Sequence, residues 1–123
     1  QLKGLGVSTL YLFGSRAQGI HHRGSDYDFG ILMDGSARGK KGDLYLALYD
    51  VLADVVDEPV NLDIVFLESA PVQLQYHVVQ YGKVLLDRDP VRRGRFVQRV
   101  LEAHADFEPY RRLFASTTLA RIP

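Results

Sequence analysis

A Gly-Ser corner between two short apolar runs constrains this chain more than any other feature. Ser8-Thr-Leu-Tyr-Leu-Phe13 is β-branched and aromatic and stops at Gly14-Ser15. Ten residues follow Ser15 (16–25), and then Asp26-Tyr-Asp-Phe-Gly-Ile-Leu-Met33 opens on two carboxylates. Both runs read as strands bounded by turn residues. Side chains alternate along a strand, so Asp26, Asp28 and Gly30 share one face and Tyr27, Phe29 and Ile31 the other. One face is therefore core, and the other is open where the aspartates lie. Gly14 lets the backbone turn sharply and approach a ligand closely. Ser15-Arg-Ala-Gln18 predicts one helical turn whose free N–H groups face that ligand. A phosphate grip beside paired carboxylates points to a metal–nucleotide site.

The rest of the chain supplies layers for these strands. Asp43 is placed to cap a helix reaching about Val56, with Leu44, Leu48, Val51, Leu52 and Val55 at helical spacing. Asp57-Glu-Pro59 ends it. Val60-Asn-Leu-Asp-Ile-Val-Phe66 predicts a third strand with Asn61, Asp63 and Val65 on one face. An aspartate inside an apolar strand is costly to bury alone. A metal shared with Asp26 and Asp28, an arginine, or an exposed strand edge would each resolve that cost. Pro71 and Gly82 bracket a second helix, with Leu74, Val78 and Tyr81 on one face, and Lys83-Val-Leu-Leu86 is a short strand. Asp89-Pro90 caps a longer helix, which Pro109 is expected to kink or divide. One α/β domain over 1–123 is expected, with a core over about 1–88 and a helical segment over about 89–123.

Composition narrows the function. With 123 residues and 46% hydrophobic content the chain suits one globular domain. No apolar run nears the roughly 18 residues of a membrane helix, and no secretory pattern stands at the start. Without cysteine there are no disulfides or thiolate metal sites, and a cytoplasmic location is expected. Net charge is zero, which argues against general nucleic-acid binding. The balance is uneven: residues 1–90 hold 8 Lys/Arg against 12 Asp/Glu, a formal −4, and residues 91–123 hold 7 against 3, a formal +4. The basic end is a candidate surface for an acidic partner, or simply a solvated arginine-rich helix.

The residues suit nucleotidyl transfer. Magnesium takes hard oxygen ligands and bridges to phosphates, and two ions can stabilise both attacking and leaving oxygens. In this reading Asp26 and Asp28 bind the metals holding a nucleoside triphosphate. Asp63 joins the second metal and accepts the proton of the attacking hydroxyl. Gly14 N–H and the Ser15 hydroxyl hold the terminal phosphates, and Arg16 adds charge near them.

Gly14-Ser15, ten residues, then Asp26-Tyr27-Asp28 resembles the signature of the DNA polymerase β-type nucleotidyltransferase superfamily. The small size, the Gly-Ser-Arg-Ala turn and the later strand aspartate resemble its minimal nucleotidyltransferase branch, which includes antitoxins paired with HEPN-domain toxins. The resemblance runs from about Leu10 to Leu86. It implies a mixed, twisted sheet with helices packed mainly on one side, magnesium, and ATP as donor. In the antitoxin branch it also implies AMP transfer to a tyrosine of the partner toxin. By residue the motif carries over to Gly14, Ser15, Asp26, Asp28 and, by strand position, Asp63. Numbering begins at Gln1, so the helix that usually precedes the first strand is left unassigned.

A chain this short leaves little room for a second substrate domain, so a protein acceptor or a site shared with a partner subunit is expected, and a homo-oligomer is compatible. Two rivals stay open: a small-molecule nucleotidyltransferase of the aminoglycoside-modifying kind, and an antitoxin that only binds. His21 and His22 lie in the polar loop, where a base or phosphate contact competes with plain surface. His77 and His104 read as structural, Tyr45, Tyr49 and Tyr76 as core or rim, and Asp50, Asp54 and Asp57 as a solvated helix face. Phe107, Tyr110, Leu113 and Phe114 form a second apolar patch after the break expected near residues 106–109.

Overall fold

The computed structural model describes residues 1–19, 26–36 and 39–121, with side chains described up to residue 106. His21, His22 and the aromatic side chains after residue 106 therefore lie outside the described residues. Four strands form one sheet in the order β3-β2-β1-β4: β1 (Val7–Phe13), β2 (Tyr27–Met33), β3 (Leu62–Phe66) and β4 (Lys83–Asp87). β1 pairs antiparallel with both β2 and β4, while β2 and β3 run parallel. The sheet is mixed, as expected. Its parallel pair requires a crossover, which α2 (Lys41–Val56) provides.

The helices, expected mainly on one side, divide between the two faces. α2 lays Leu48 and Leu52 against Val7, Leu10, Phe29, Ile31, Leu62 and Ile64. Burying each such leucine contributes about 1.5–3 kcal/mol. α3 (Val72–Tyr81) and α4 (Pro90–Arg121) pack on the opposite face, where Tyr11, Phe13, Leu32, Leu67, Val78, Phe96 and Val100 form a second cluster. The reason lies along β2: Asp28 and Leu32 share a face, so that face is polar at one end and apolar at the other. Gly30, between them, admits Leu67; a Cβ there would come within 3.1 Å of its methyls.

Several boundaries differ from expectation. Asp43 is not the α2 cap: the helix begins at Lys41, with Lys40 at the cap position and no side-chain bond. Asp43 sits instead in the first turn, where its charge still complements the helix dipole. Val55 is exposed and does not join the apolar stripe, and Tyr81 is also exposed, unlike Val78 beside it. Asp89 does cap α4, accepting the Arg92 N–H at 3.0 Å. α4 then runs through Pro109 without division. A proline removes one helical donor, and a long helix continues when the bonds on either side persist. Among the described residues no helix is long and apolar enough to cross a membrane.

α4 is tied to the sheet by a small polar cluster. Arg93 Nε donates to Asp87 Oδ2 at 2.7 Å, and Thr9 Oγ1 donates to Asp87 Oδ1 at 3.4 Å. Buried Tyr11 lies beside them, and its pKa is raised, chiefly by burial and against the opposing pull of Arg93.

Candidate active site

Strand register assembles the carboxylates. Asp28 and Asp63 are direct partners in the parallel β2–β3 ladder, so their side chains stand side by side on one face. Asp26 lies just before β2, two residues from Asp28. Asp28 is half-buried, whereas Asp26 and Asp63 are exposed. Phe13 pairs with Asp28 across the antiparallel ladder, which places Gly14 at the end of β1 beside the Asp28 carboxylate. Gly14 has φ 76° and ψ −157°, a conformation essentially confined to glycine. A Cβ added there would run into the Asp28 carboxylate, with Asp28 Cγ 3.3 Å away. The missing side chain is thus what lets the turn and the carboxylate approach. Ser15 opens the four-residue helix α1 (Ser15–Gln18), which Gly19 closes in the left-handed conformation.

The electrostatics follow from this crowding. Asp28 has a pKa above the ordinary carboxylate value, first because burial disfavours its charge, then because Asp63 and Asp26 repel it. No basic side chain among the described residues forms an ion pair with Asp28 or Asp63. The described residues thus leave this negative potential uncompensated, and a cation would relieve it. Among the described residues no three His, Cys, Asp or Glu side chains close into a ready-made metal cage. This donor set still fits magnesium, which is commonly held by one or two carboxylates, with substrate phosphates and water completing the shell.

A pH dependence follows. A carboxyl whose folded pKa is raised holds its proton more tightly when folded than when unfolded. That contribution is complete below the unfolded value, near 3.8, and is lost as pH rises through the raised folded value. In chelator, wild type should therefore lose thermal stability relative to Asp28→Asn across that window, because the variant has nothing to titrate at this position. Paired melts against pH check this; a difference that stays constant with pH would contradict it.

Arg16 departs from its expected place. Its guanidinium lies 4.2 Å from the Tyr27 ring centroid and 3.3 Å from Glu58 Oε2, on the α2 side of the sheet. It is absent from the charges that shift Asp28. The structure thus brings together Gly14, Asp28 and Asp63, with Ser15 and Asp26 adjoining, and turns Arg16 away. Glu58 belongs to the Asp57-Glu-Pro59 helix stop, and no spacing rule joins it to Arg16 across 42 residues. His77 meets Phe13 edge-on at 6.4 Å and His104 stacks on Tyr76 at 3.5 Å, in keeping with structural roles. Asp50, Asp54 and Asp57 are exposed, as a solvated face would be.

Comparison with known proteins converges on one family. The model of the polymerase beta nucleotidyltransferase family matches residues 3–91. The protein adenylyltransferase MntA of Shewanella oneidensis is 40% identical over 83 residues, 64% of this chain and 53% of that protein. Its counterpart in Aphanizomenon flos-aquae is 31% identical over 111 residues, 83% of this chain and 71% of that protein. The chain thus spans about half the length of the first relative. A crystal structure of a toxin–antitoxin with AMP-PNP superposes with a TM-score of 0.72 at 27% identity, covering 96% of this chain and 92% of that one.

Proposed function

The chain belongs to the polymerase beta nucleotidyltransferase family, and on that premise we propose that it transfers AMP from ATP to a tyrosine hydroxyl of a HEPN-type toxin and so acts as an antitoxin. The observation that carries this reading is the side-by-side placement of Asp28 and Asp63 against the Gly14 turn. Two relatives by sequence are protein adenylyltransferases, and a toxin–antitoxin structure of similar fold contains AMP-PNP.

Each residue has a part that its place supports. Asp26 and Asp28 would hold magnesium together with the triphosphate, and Asp63 would share that task. Bound magnesium supplies neutralisation of the phosphate oxygens as negative charge shifts to the leaving group. The Gly14 N–H and the Ser15 hydroxyl hold the terminal phosphates at the end of β1. Asp63, the exposed member of the pair, accepts the acceptor's proton. The tyrosine oxygen attacks the α-phosphorus, a P–O bond forms, the bond to the β-phosphate bridge breaks, and pyrophosphate leaves. Arg16 is given no phosphate contact, because its guanidinium is engaged on the opposite face.

Mass spectrometry tests the chemistry. A HEPN toxin incubated with this protein, ATP and magnesium is expected to gain about 329 Da per AMP. Loss of this gain with chelator, and with a variant carrying both Asp26→Asn and Asp28→Asn, would complete the result. If that double variant neutralises the toxin as well as wild type, with no added mass in either case, the protein is a binding antitoxin. If neither form acts on a HEPN toxin, adenylylation of small-molecule hydroxyls becomes the reading to test.

A further inference from the structure

Three side chains without a chemical part in the reaction meet behind the site. Tyr27 stands between Asp26 and Asp28 but points to the α2 side, where its ring stacks on Phe29 with 6.0 Å between centroids. Arg16, one residue after Ser15, lays its guanidinium over that ring at 4.2 Å and reaches Glu58 Oε2 at 3.3 Å. The Tyr27 hydroxyl donates to the other oxygen of the same carboxylate, Glu58 Oε1, at 3.1 Å. Glu58 itself is set by the chain reversal at the end of α2, where Asp57 adopts φ 50°. From there the chain passes Asn61, whose carbonyl accepts the Tyr27 N–H at 3.1 Å, and arrives at Asp63.

We propose that Arg16, Tyr27 and Glu58 are positioning residues. They form a clamp that holds the Gly14-Ser15 turn, the Asp26/Asp28 strand end and the segment leading to Asp63 in one arrangement. The inference rests on the reading of those residues as the active site. Each clamp residue belongs to a different one of the three segments, and each is one to five residues from a site residue. The clamp also opposes a definite force: the three carboxylates repel one another on the front face, which favours spreading of the segments. α1 has four residues, too few to hold its own shape without tertiary support. An exposed ion pair would give little support. Here Glu58 is 43% exposed, but the Arg16 side chain is only 9% exposed and adds a stacked ring to the ion pair.

The clamp and a phosphate-binding Arg16 make opposite forecasts for Glu58. Kinetics of AMP transfer to a HEPN toxin are measured for wild type, Arg16→Ala, Glu58→Ala, the double variant and Glu58→Gln. The clamp requires each single alanine variant to lower kcat by about 10- to 100-fold, with KM for ATP changed by less than about threefold, as expected for misplaced groups. The double variant should be no worse than the weaker single, because removing either partner opens the same clamp. Glu58→Gln should recover part of the loss, since its amide oxygen can still accept from Arg16 while its NH2 replaces the oxygen that accepts from the Tyr27 hydroxyl. Mn2+ titration by calorimetry gives a readout free of turnover: both single variants should weaken metal binding about 10-fold or more, as loss of outer-shell support does. If Arg16→Ala fails to fold, Arg16→Lys replaces it, and an intermediate kcat is expected because the planar stack is lost while the charge remains. A raised KM in Arg16→Ala with wild-type kinetics in Glu58→Ala overturns the clamp in favour of a phosphate contact. Losses that multiply in the double variant, or wild-type behaviour in every variant, overturn it as well. A wild type that neither transfers AMP nor binds Mn2+ removes the proposed function itself, and the clamp with it.

Discussion

Asp28→Asn is expected to lower AMP transfer by about 10³-fold or more while leaving the fold intact. The amide matches the carboxylate in shape but brings no negative charge to a cation, and it stands at the centre of the site. Asp28 pairs with Asp63 on one side and abuts Gly14 on the other. Loss of several kcal/mol of metal-mediated stabilisation corresponds to that factor, at about 1.4 kcal/mol per tenfold. Stability should move the opposite way. Burial and two neighbouring carboxylates make ionised Asp28 unfavourable without metal, and the neutral amide removes that strain. In chelator at neutral pH the variant should melt at or above the wild-type temperature, and added magnesium should stabilise it less than it stabilises wild type. Single-turnover transfer together with paired melts reads both parts. A variant that keeps activity within about tenfold of wild type would remove Asp28 from the metal-binding role.

Gly14→Ala is expected to damage stability and activity together. At φ 76° and ψ −157° an alanine is strained by about 1–3 kcal/mol, which for a domain of this size is a fall of about 4–15 °C in melting temperature. The new methyl also meets the Asp28 carboxylate, which must swing away from its place beside Asp63. Transfer should therefore fall by about 10²-fold or more even where the protein remains folded. Background substitution separates the two causes. Against Asp28→Ala the steric conflict is gone, so Gly14→Ala should cost only the backbone strain and destabilise less than it does in wild type. An equal loss in both backgrounds would mean that the contact with Asp28 plays no part.

Much of the site was readable because its cues are local. The Gly14-Ser15 corner follows an apolar strand, and Asp26 and Asp28 open the next one at a spacing of two, which fixes their common face. Asp63 was readable only in part: strand alternation gives the face on which it stands but not its neighbour. Its place opposite Asp28 required the parallel pairing made by the α2 crossover. Arg16 lies against Tyr27 and Glu58 because a long side chain goes where its partners are. The carboxylate that captures it lies 42 residues away, and nothing near residue 16 signals that meeting. The helices on both faces were hidden for a related reason. β2 changes from polar to apolar along one face, between Asp28 and Leu32, and alternation rules treat a face as uniform.

The sequence by itself determined the elements with their own local causes: four strands, the glycine-dependent turn, the helix stops at Asp57 and Gly82, the Asp89 cap, and the carboxylates of β2 on one side. Each follows from backbone sterics, side-chain periodicity or a cap within a few residues. Tertiary structure alone decided that Asp63 pairs with Asp28, that the Asp28 carboxyl is pressed toward its protonated form, and that Arg16 braces the site from behind through Tyr27 and Glu58. All three depend on distances between segments far apart in the chain, and those distances exist only after the sheet has closed around its two cores.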